Sequence, residues 1–154
     1  MTLDEFNVLD DEIVNAALLQ CCDVPVWAAA IRDARPYPDE SALFHVADEL
    51  AHLWTAAEVK HALSAHPRIG ERAEGWSKQE QSGVTPGEEL VEANRAYEAR
   101  FNRVFLICAT GLSTEQILAS ARERLHNDDA TEAEVVKDEL RKIALLRLRK
   151  VLDG

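Results

Sequence analysis

The sequence predicts an all-α protein, a single-domain helical bundle over residues 1–154 broken by one glycine-punctuated loop. Three observations predict it. Helix-start signals recur along the chain, each a Ser or Thr with Glu or Gln three residues later, the spacing at which two side chains satisfy two orphan backbone amides. The stretches that follow carry apolar residues at helical spacing. A single run reads as a strand, Val104-Phe105-Leu106-Ile107-Cys108-Ala109, and a lone strand has no partner, so a buried extended or helical segment is expected there.

Thr2 and Glu5 open the first helix, and Asp10 or Asp11 starts a second through Leu19. Pro25 suits the first turn of a third helix reaching about Ala34, after which Arg35-Pro36-Tyr37-Pro38 breaks the pattern. Glu40 to Trp54 reads as an amphipathic helix with Leu43, Val46, Ala47 and Leu50 on one face. Thr55 and Glu58 box the next, which must end near His66 because Pro67 disfavours helical geometry in the residue before it. Thr85-Pro86-Gly87-Glu88 starts a helix reaching about Arg103, and Ser113 with Gln116 starts one that stops before Asn127-Asp128-Asp129. Thr131 with Glu134 begins the last, carrying Val135, Leu140, Ile143, Leu146 and Val151.

A hydrophobic fraction of 47% in 154 residues supports one folded core. Seventeen Lys and Arg against 28 Asp and Glu give a formal net charge of -11, which repels phosphate backbones and anionic lipid, so neither nucleic acid nor membrane is an expected partner. A small anionic substrate remains compatible, since a pocket can hold local arginines. The odd cysteine count, with Cys21 and Cys22 adjacent and Cys108 apart, is a poor disulfide framework and points to a reducing cytoplasm. Met1-Thr2-Leu3-Asp4-Glu5 lacks the basic start and apolar run of a signal peptide, and no apolar stretch has membrane-spanning length.

Four of the six glycines, Gly70, Gly75, Gly83 and Gly87, fall in one short region around His66-Pro67-Arg68-Ile69-Gly70 and Ser77-Lys78-Gln79-Glu80-Gln81. Loops shaped by glycine and held by a rigid scaffold are where sites sit. His66 can serve as general acid or base, or simply meet a helix dipole. Ser77 and Glu80 have capping-box spacing; alternatively they present a hydroxyl and a carboxylate to one ligand, with Gln81 supplying an amide. Arg147 stands in an apolar stretch and can grip a carboxylate, or snorkel to solvent. Cys108 is a nucleophile or a buried, inert thiol. Trp76 can stack on a flat heterocycle or fold back onto the core. A rival cluster, His45, Glu49 and His52, with His61 as a fourth member, falls on one helix face and would suit a metal-dependent enzyme. A non-catalytic helical interaction module, using the last helix, is the third class.

Taken together, His66-Pro67-Arg68-Ile69-Gly70, Ser77-x-x-Glu80-Gln81-Ser82-Gly83, Asn94-x-x-Tyr97-x-x-Arg100-Phe101, Phe105-Leu106-Ile107-Cys108-Ala109 and Lys142-Ile143-x-x-Leu146-Arg147-Leu148 resemble the family of OHCU decarboxylases (OHCU being 2-oxo-4-hydroxy-4-carboxy-5-ureidoimidazoline). The five stand in register from about Asn7 to Leu152. The resemblance implies an all-α homodimer without a cofactor that forms (S)-allantoin late in urate breakdown. It implies His66 as catalytic acid or base fixed by Pro67; the chemistry would place Glu80 near the departing carboxylate or, alternatively, have it accept hydrogen bonds from the ureido group and only orient the substrate. Ser77, Glu80 and Gln81 would hold the substrate, Phe105, Leu106, Ile107, Cys108 and Ala109 would offer backbone groups, and Arg147 would hold the ligand's polar edge. The chain departs from the family pattern around the apolar segment, with Asn102-Arg103-Val104 where many relatives carry Gly-x-Pro, and Thr110-Gly111 where they carry an arginine.

Overall fold

The computed structural model describes residues 1–71, 73 and 75–153. Among them the chain forms nine α-helices and no strand: α1 (Leu3–Val8), α2 (Asp11–Cys21), α3 (Pro25–Asp33), α4 (Glu40–Ala51), α5 (Ala56–Leu63), α6 (Gly75–Glu80), α7 (Glu88–Phe101), α8 (Thr114–Arg124) and α9 (Asp129–Asp153). The all-α expectation holds. These helices gather into two compact units, one built from Met1–Ala62 with the C-terminal stretch from Leu140, the other from Leu63–Glu139.

The first unit is organised by local capping and then by packing. Thr2 Oγ1 accepts from Glu5 N at 3.1 Å while Glu5 Oε1 accepts from Thr2 N at 3.3 Å, closing the start of α1. Pro25 occupies the first turn of α3, where its missing N–H costs nothing. α2, α3 and α4 pack in sequence through Val14, Leu18, Trp27, Ile31, Leu43 and Ala47, all buried. Each such Leu or Ile contributes roughly 1.5–3 kcal/mol by leaving water. Trp27 Nε1 donates to Ala47 O at 3.0 Å, and the Trp27 and Trp54 rings meet edge to face at 5.7 Å. From α9, Leu140, Ile143, Ala144, Leu148 and Leu152 are buried, whereas Leu146 turns outward.

The second unit has its own core of Ile69, Leu90, Tyr97, Phe101, Phe105, Ile107, Ala109, Ile117, Leu118 and Ala121. Tyr97 sits at its centre, 4.8 Å from the Phe101 ring and 5.1 Å from that of Phe105. α7 ends on Asn102 in the left-handed region at φ 55°, a conformation asparagine tolerates better than most residues. Ser113 and Gln116 form the expected reciprocal cap on α8, at 3.2 and 2.9 Å.

α2 runs to Cys21 rather than Leu19, α7 stops at Phe101 rather than about Arg103, and four further differences from expectation stand out. α4 stops at Ala51 rather than Trp54 because Leu53 N and Trp54 N tighten onto Leu50 O and Ala51 O, leaving the α ladder. α5 ends at Leu63, three residues short of His66. α6 lies inside the region read as loop. α9 begins at Asp129, since the Asp128 carboxylate accepts from Thr131 N at 2.8 Å and caps the helix ahead of the predicted Thr131 start. That bond also holds the Asp128 carboxyl below its ordinary pKa.

Candidate active site

The histidine motif begins as α5 closes. His66 N donates to Leu63 O at 3.0 Å in a tightened last turn, and Pro67 prevents the helix from continuing. His66 and Pro67 are half-buried. Beyond them the chain is pinned from two directions. Gly70 N donates to the Gln81 side-chain oxygen at 3.1 Å, and Asn94 Nδ2, buried on α7, donates to Ile69 O at 2.9 Å. Arg68 reaches Glu98 of α7 at 2.5 Å, an exposed pair that contributes little energy but agrees with the same register.

Gly70 is where backbone geometry decides the residue. Its φ is +89°, and a Cβ there would lie 2.4 Å from Leu90 Cδ2. The loop therefore packs its backbone directly on Leu90 of α7, at a backbone angle that favours glycine. The turn after α6 makes a comparable approach: a Cβ on Gly83 would lie 2.6 Å from Leu112 O, just past the apolar segment. Thr85 N donating to Thr114 Oγ1 at 2.7 Å fixes the same crossing.

The placement of Ser77 and Glu80 resolves one ambiguity. α6 starts at Gly75, so Ser77 stands in its third position and cannot be its N-cap; its carbonyl accepts from Gln81 N at 3.1 Å instead. Glu80 ends the helix and is only 7% exposed. A carboxylate buried to this degree is uncommon outside functional sites and paired networks. Trp76 is half-buried.

Phe105, Leu106, Ile107 and Ala109 are buried and Cys108 is half-buried, in a stretch that is neither helix nor strand. Side chains of the same unit meet its backbone. Arg124 Nη1 donates to Leu106 O at 2.7 Å, and Cys108 N donates to the Glu139 carboxylate at 3.0 Å. Arg124 is itself buried, ion-paired through Nε to Glu132 at 2.5 Å, and lies 4.6 Å over the Phe105 ring. Removing one partner of such a pair costs about 3–5 kcal/mol, because the other is left charged and buried.

His66, Pro67, Ser77, Glu80, Gln81 and the 105–109 stretch all belong to the second unit, in whose core Ile69 joins Phe105, Ile107 and Ala109. Arg147 belongs to the first unit. It is 8% exposed, so it does not snorkel, and its Nη1 lies 3.5 Å from Gln20 O. The metal reading fails on geometry. His45 pairs with Glu49 at 3.1 Å, His52 turns to Asp48 at 3.7 Å and His61 to Asp23 at 3.0 Å. Among the described residues no three such side chains converge.

A cleft of about 930 Å³ between the Arg68–Glu71 loop and α7 holds none of the predicted site residues. Its lining mixes Glu71, Glu88, Glu92 and Glu98 with Arg68 and Arg95, which pair with three of them. Sequence reasoning assigned no role to Asn94, Arg124, Glu132 or Glu139. The signal that finds the first three is a polar residue in apolar register: Asn94 in the 90-94-97-101 stripe of α7, Arg124 after Ile117 and Ala121, Glu132 ahead of Val136 and Leu140.

Comparison with known proteins bears on the family of the chain. A family profile described as OHCU decarboxylase matches residues 7–149. Over 141 residues the chain is 30% identical to the 2-oxo-4-hydroxy-4-carboxy-5-ureidoimidazoline decarboxylase of Amia calva, covering 83% of this chain and 81% of the relative. The protein of the same name from Haloferax volcanii is 27% identical over 158 residues, covering 96% and 94%. An OHCU decarboxylase crystallised in the presence of (S)-allantoin aligns with a TM-score of 0.77 at 26% identity, over 94% of this chain and 99% of that one. With the match running from residue 7 to 149 and the motif residues present along it, the chain belongs to the OHCU decarboxylase family.

Proposed function

We propose that this chain is the carboxy-lyase that converts 2-oxo-4-hydroxy-4-carboxy-5-ureidoimidazoline to (S)-allantoin in urate degradation. The observation that carries the reading is the family match over residues 7–149. The chemistry suits the residues. The departing carboxylate sits on a carbon next to a ring C=N, so the electrons of the breaking C–C bond pass into that imine and the substrate is its own electron sink. The imine nitrogen, now holding that electron pair, takes up one proton, a second is delivered to one face of the former imine carbon, and the neighbouring hydroxyl gives up its own to become the ring carbonyl. The protein has to orient the carboxylate and control those proton movements.

In this reading His66 handles the protons and Pro67 fixes its position at the end of α5. Glu80, shielded from water, stands by the departing carboxylate. Ser77 and Gln81 hold the substrate, Gln81 while anchoring Gly70. Phe105, Leu106, Ile107, Cys108 and Ala109 line it with backbone groups, and Arg147 binds its polar edge. Residues 1–154 act as one domain without a cofactor, in a cytoplasmic homodimer. No helix among the described residues is long and apolar enough to cross a membrane.

Circular dichroism of allantoin formed from freshly generated substrate tests the reading. Rapid appearance of the (S) signal is expected; slow racemic product matching the protein-free control overturns it. In the same assay His66→Ala should lose turnover by about 10²–10⁴-fold, the span of general acid–base catalysis, with its helical signal intact. Retained turnover would remove His66 from the mechanism.

A further inference from the structure

Residues 104–109 follow a path with neither a helix ladder nor a strand partner, yet most of the stretch is buried, so its backbone polar groups have to be met by something else. Two side chains do so at alternate residues. Arg124 Nη1 holds the Leu106 carbonyl at 2.7 Å, and the Glu139 carboxylate holds the Cys108 amide at 3.0 Å. The Arg124 anchor is itself held, ion-paired to Glu132, which is fully buried, and stacked on Phe105.

This network is a poor device for stability alone. A buried ion pair rarely outperforms apolar residues of the same volume, and here both Arg124 and Glu132 are withdrawn from water. What charged acceptors and donors supply that apolar packing does not is the direction of a backbone group. Glu139 does this from α9, its partly exposed side chain accepting from the Cys108 amide in the predicted substrate wall.

We propose that Glu139 is a positioning residue for the decarboxylation: by holding the Cys108 N–H against the fixed Arg124–Leu106 anchor, it sets the backbone that faces the substrate. This rests on the function proposed above. The acceptor is what matters, so an amide oxygen in its place should serve, whereas an apolar side chain should release Cys108. Misplacing a binding wall by about 1 Å costs on the order of 10–100-fold, and loss of ground-state contacts appears chiefly in KM.

The test is steady-state kinetics on the full chain with ureidoimidazoline substrate, comparing wild type, Glu139→Gln and Glu139→Leu, with a melting curve for each. Glu139→Leu should raise KM by about 10-fold or more with a smaller change in kcat. Glu139→Gln should stay within about 3-fold, because its Oε1 still accepts. A Leu variant with wild-type KM, or Gln and Leu variants equally impaired, overturns the proposal. An inactive wild type overturns the functional reading instead. Should the Leu variant not fold, amide exchange in the wild type decides: Cys108 N–H should be protected, and exchange at the free-peptide rate overturns the proposal.

Discussion

Glu80 closes α6 with its side chain almost entirely withdrawn from water, and that burial separates two roles for it. A carboxylate in a low-dielectric setting acts more strongly on a neighbouring charge than the same group at the surface. Under the proposed placement beside the departing carboxylate, it would raise the bound substrate relative to a transition state that disperses charge, an effect that would appear in turnover. Held only as a hydrogen-bond acceptor, it would contribute orientation, which glutamine largely reproduces. Glu80→Gln is therefore expected to lower kcat on the order of 10²-fold, the scale of a lost electrostatic contact, with an unchanged melting temperature. Unchanged kcat with a raised KM would reduce Glu80 to an orienting group. Arg147 shows the other face of residue-scale reasoning: an arginine in an apolar helix could be read as snorkelling, and only its burial against the Gln20 carbonyl distinguishes the cases.

Elements were legible in the sequence wherever their signals are local. The reciprocal caps of Thr2 with Glu5, Thr55 with Glu58 and Ser113 with Gln116 all form, because each is a bond between residues three apart. α6 was missed because it starts on Gly75, and α9 was placed late because Asp128 competes with Thr131 for the cap. Of the candidate site, the histidine, the carboxylate and the glycines stand out in the sequence as types in a pattern. Their supports do not, since Asn94 to Ile69 and Arg124 to Leu106 join residues distant in sequence. The loop between α5 and α6 offers a direct check on how tightly it is bound to α7. Gly70→Ala adds a methyl group 2.4 Å from Leu90 Cδ2 at a positive φ, whereas Gly87→Ala adds one into open space on extended backbone. The first should lose roughly 1–3 kcal/mol in urea unfolding, the second a few tenths. Equal losses would mean that the loop moves off α7 at little cost.

At the scale of the molecule, each unit buries ionisable groups in neutral form. In the first, Cys21 and Cys22 are pushed up to about 12 from 9.0 by burial, which the nearby Arg147 charge only partly offsets. Tyr37 in the same unit, donating to Ile31 O at 2.7 Å, and Tyr97 in the second are raised to about 12 from 10.0, again chiefly by burial. The sign of the consequence follows from proton counting. Between an unfolded value of 9.0 or 10.0 and a folded value of about 12, the folded chain keeps protons that the unfolded chain releases. Stability must therefore fall as pH rises through that window, and be fully present below it. The urea midpoint should be flat near pH 8 and decline from about pH 9 upward, while the two tyrosines show no tyrosinate absorbance until the chain unfolds. Self-repulsion of a chain carrying a net charge of -11 would also grow in alkali, but salt screens it and leaves the burial effect in place. Tyrosinate absorbance rising near pH 10 with helical structure intact would show that water reaches both rings, and the packing of Tyr97 against Phe101 and Phe105 would have to be looser than the 4.8 and 5.1 Å ring separations indicate.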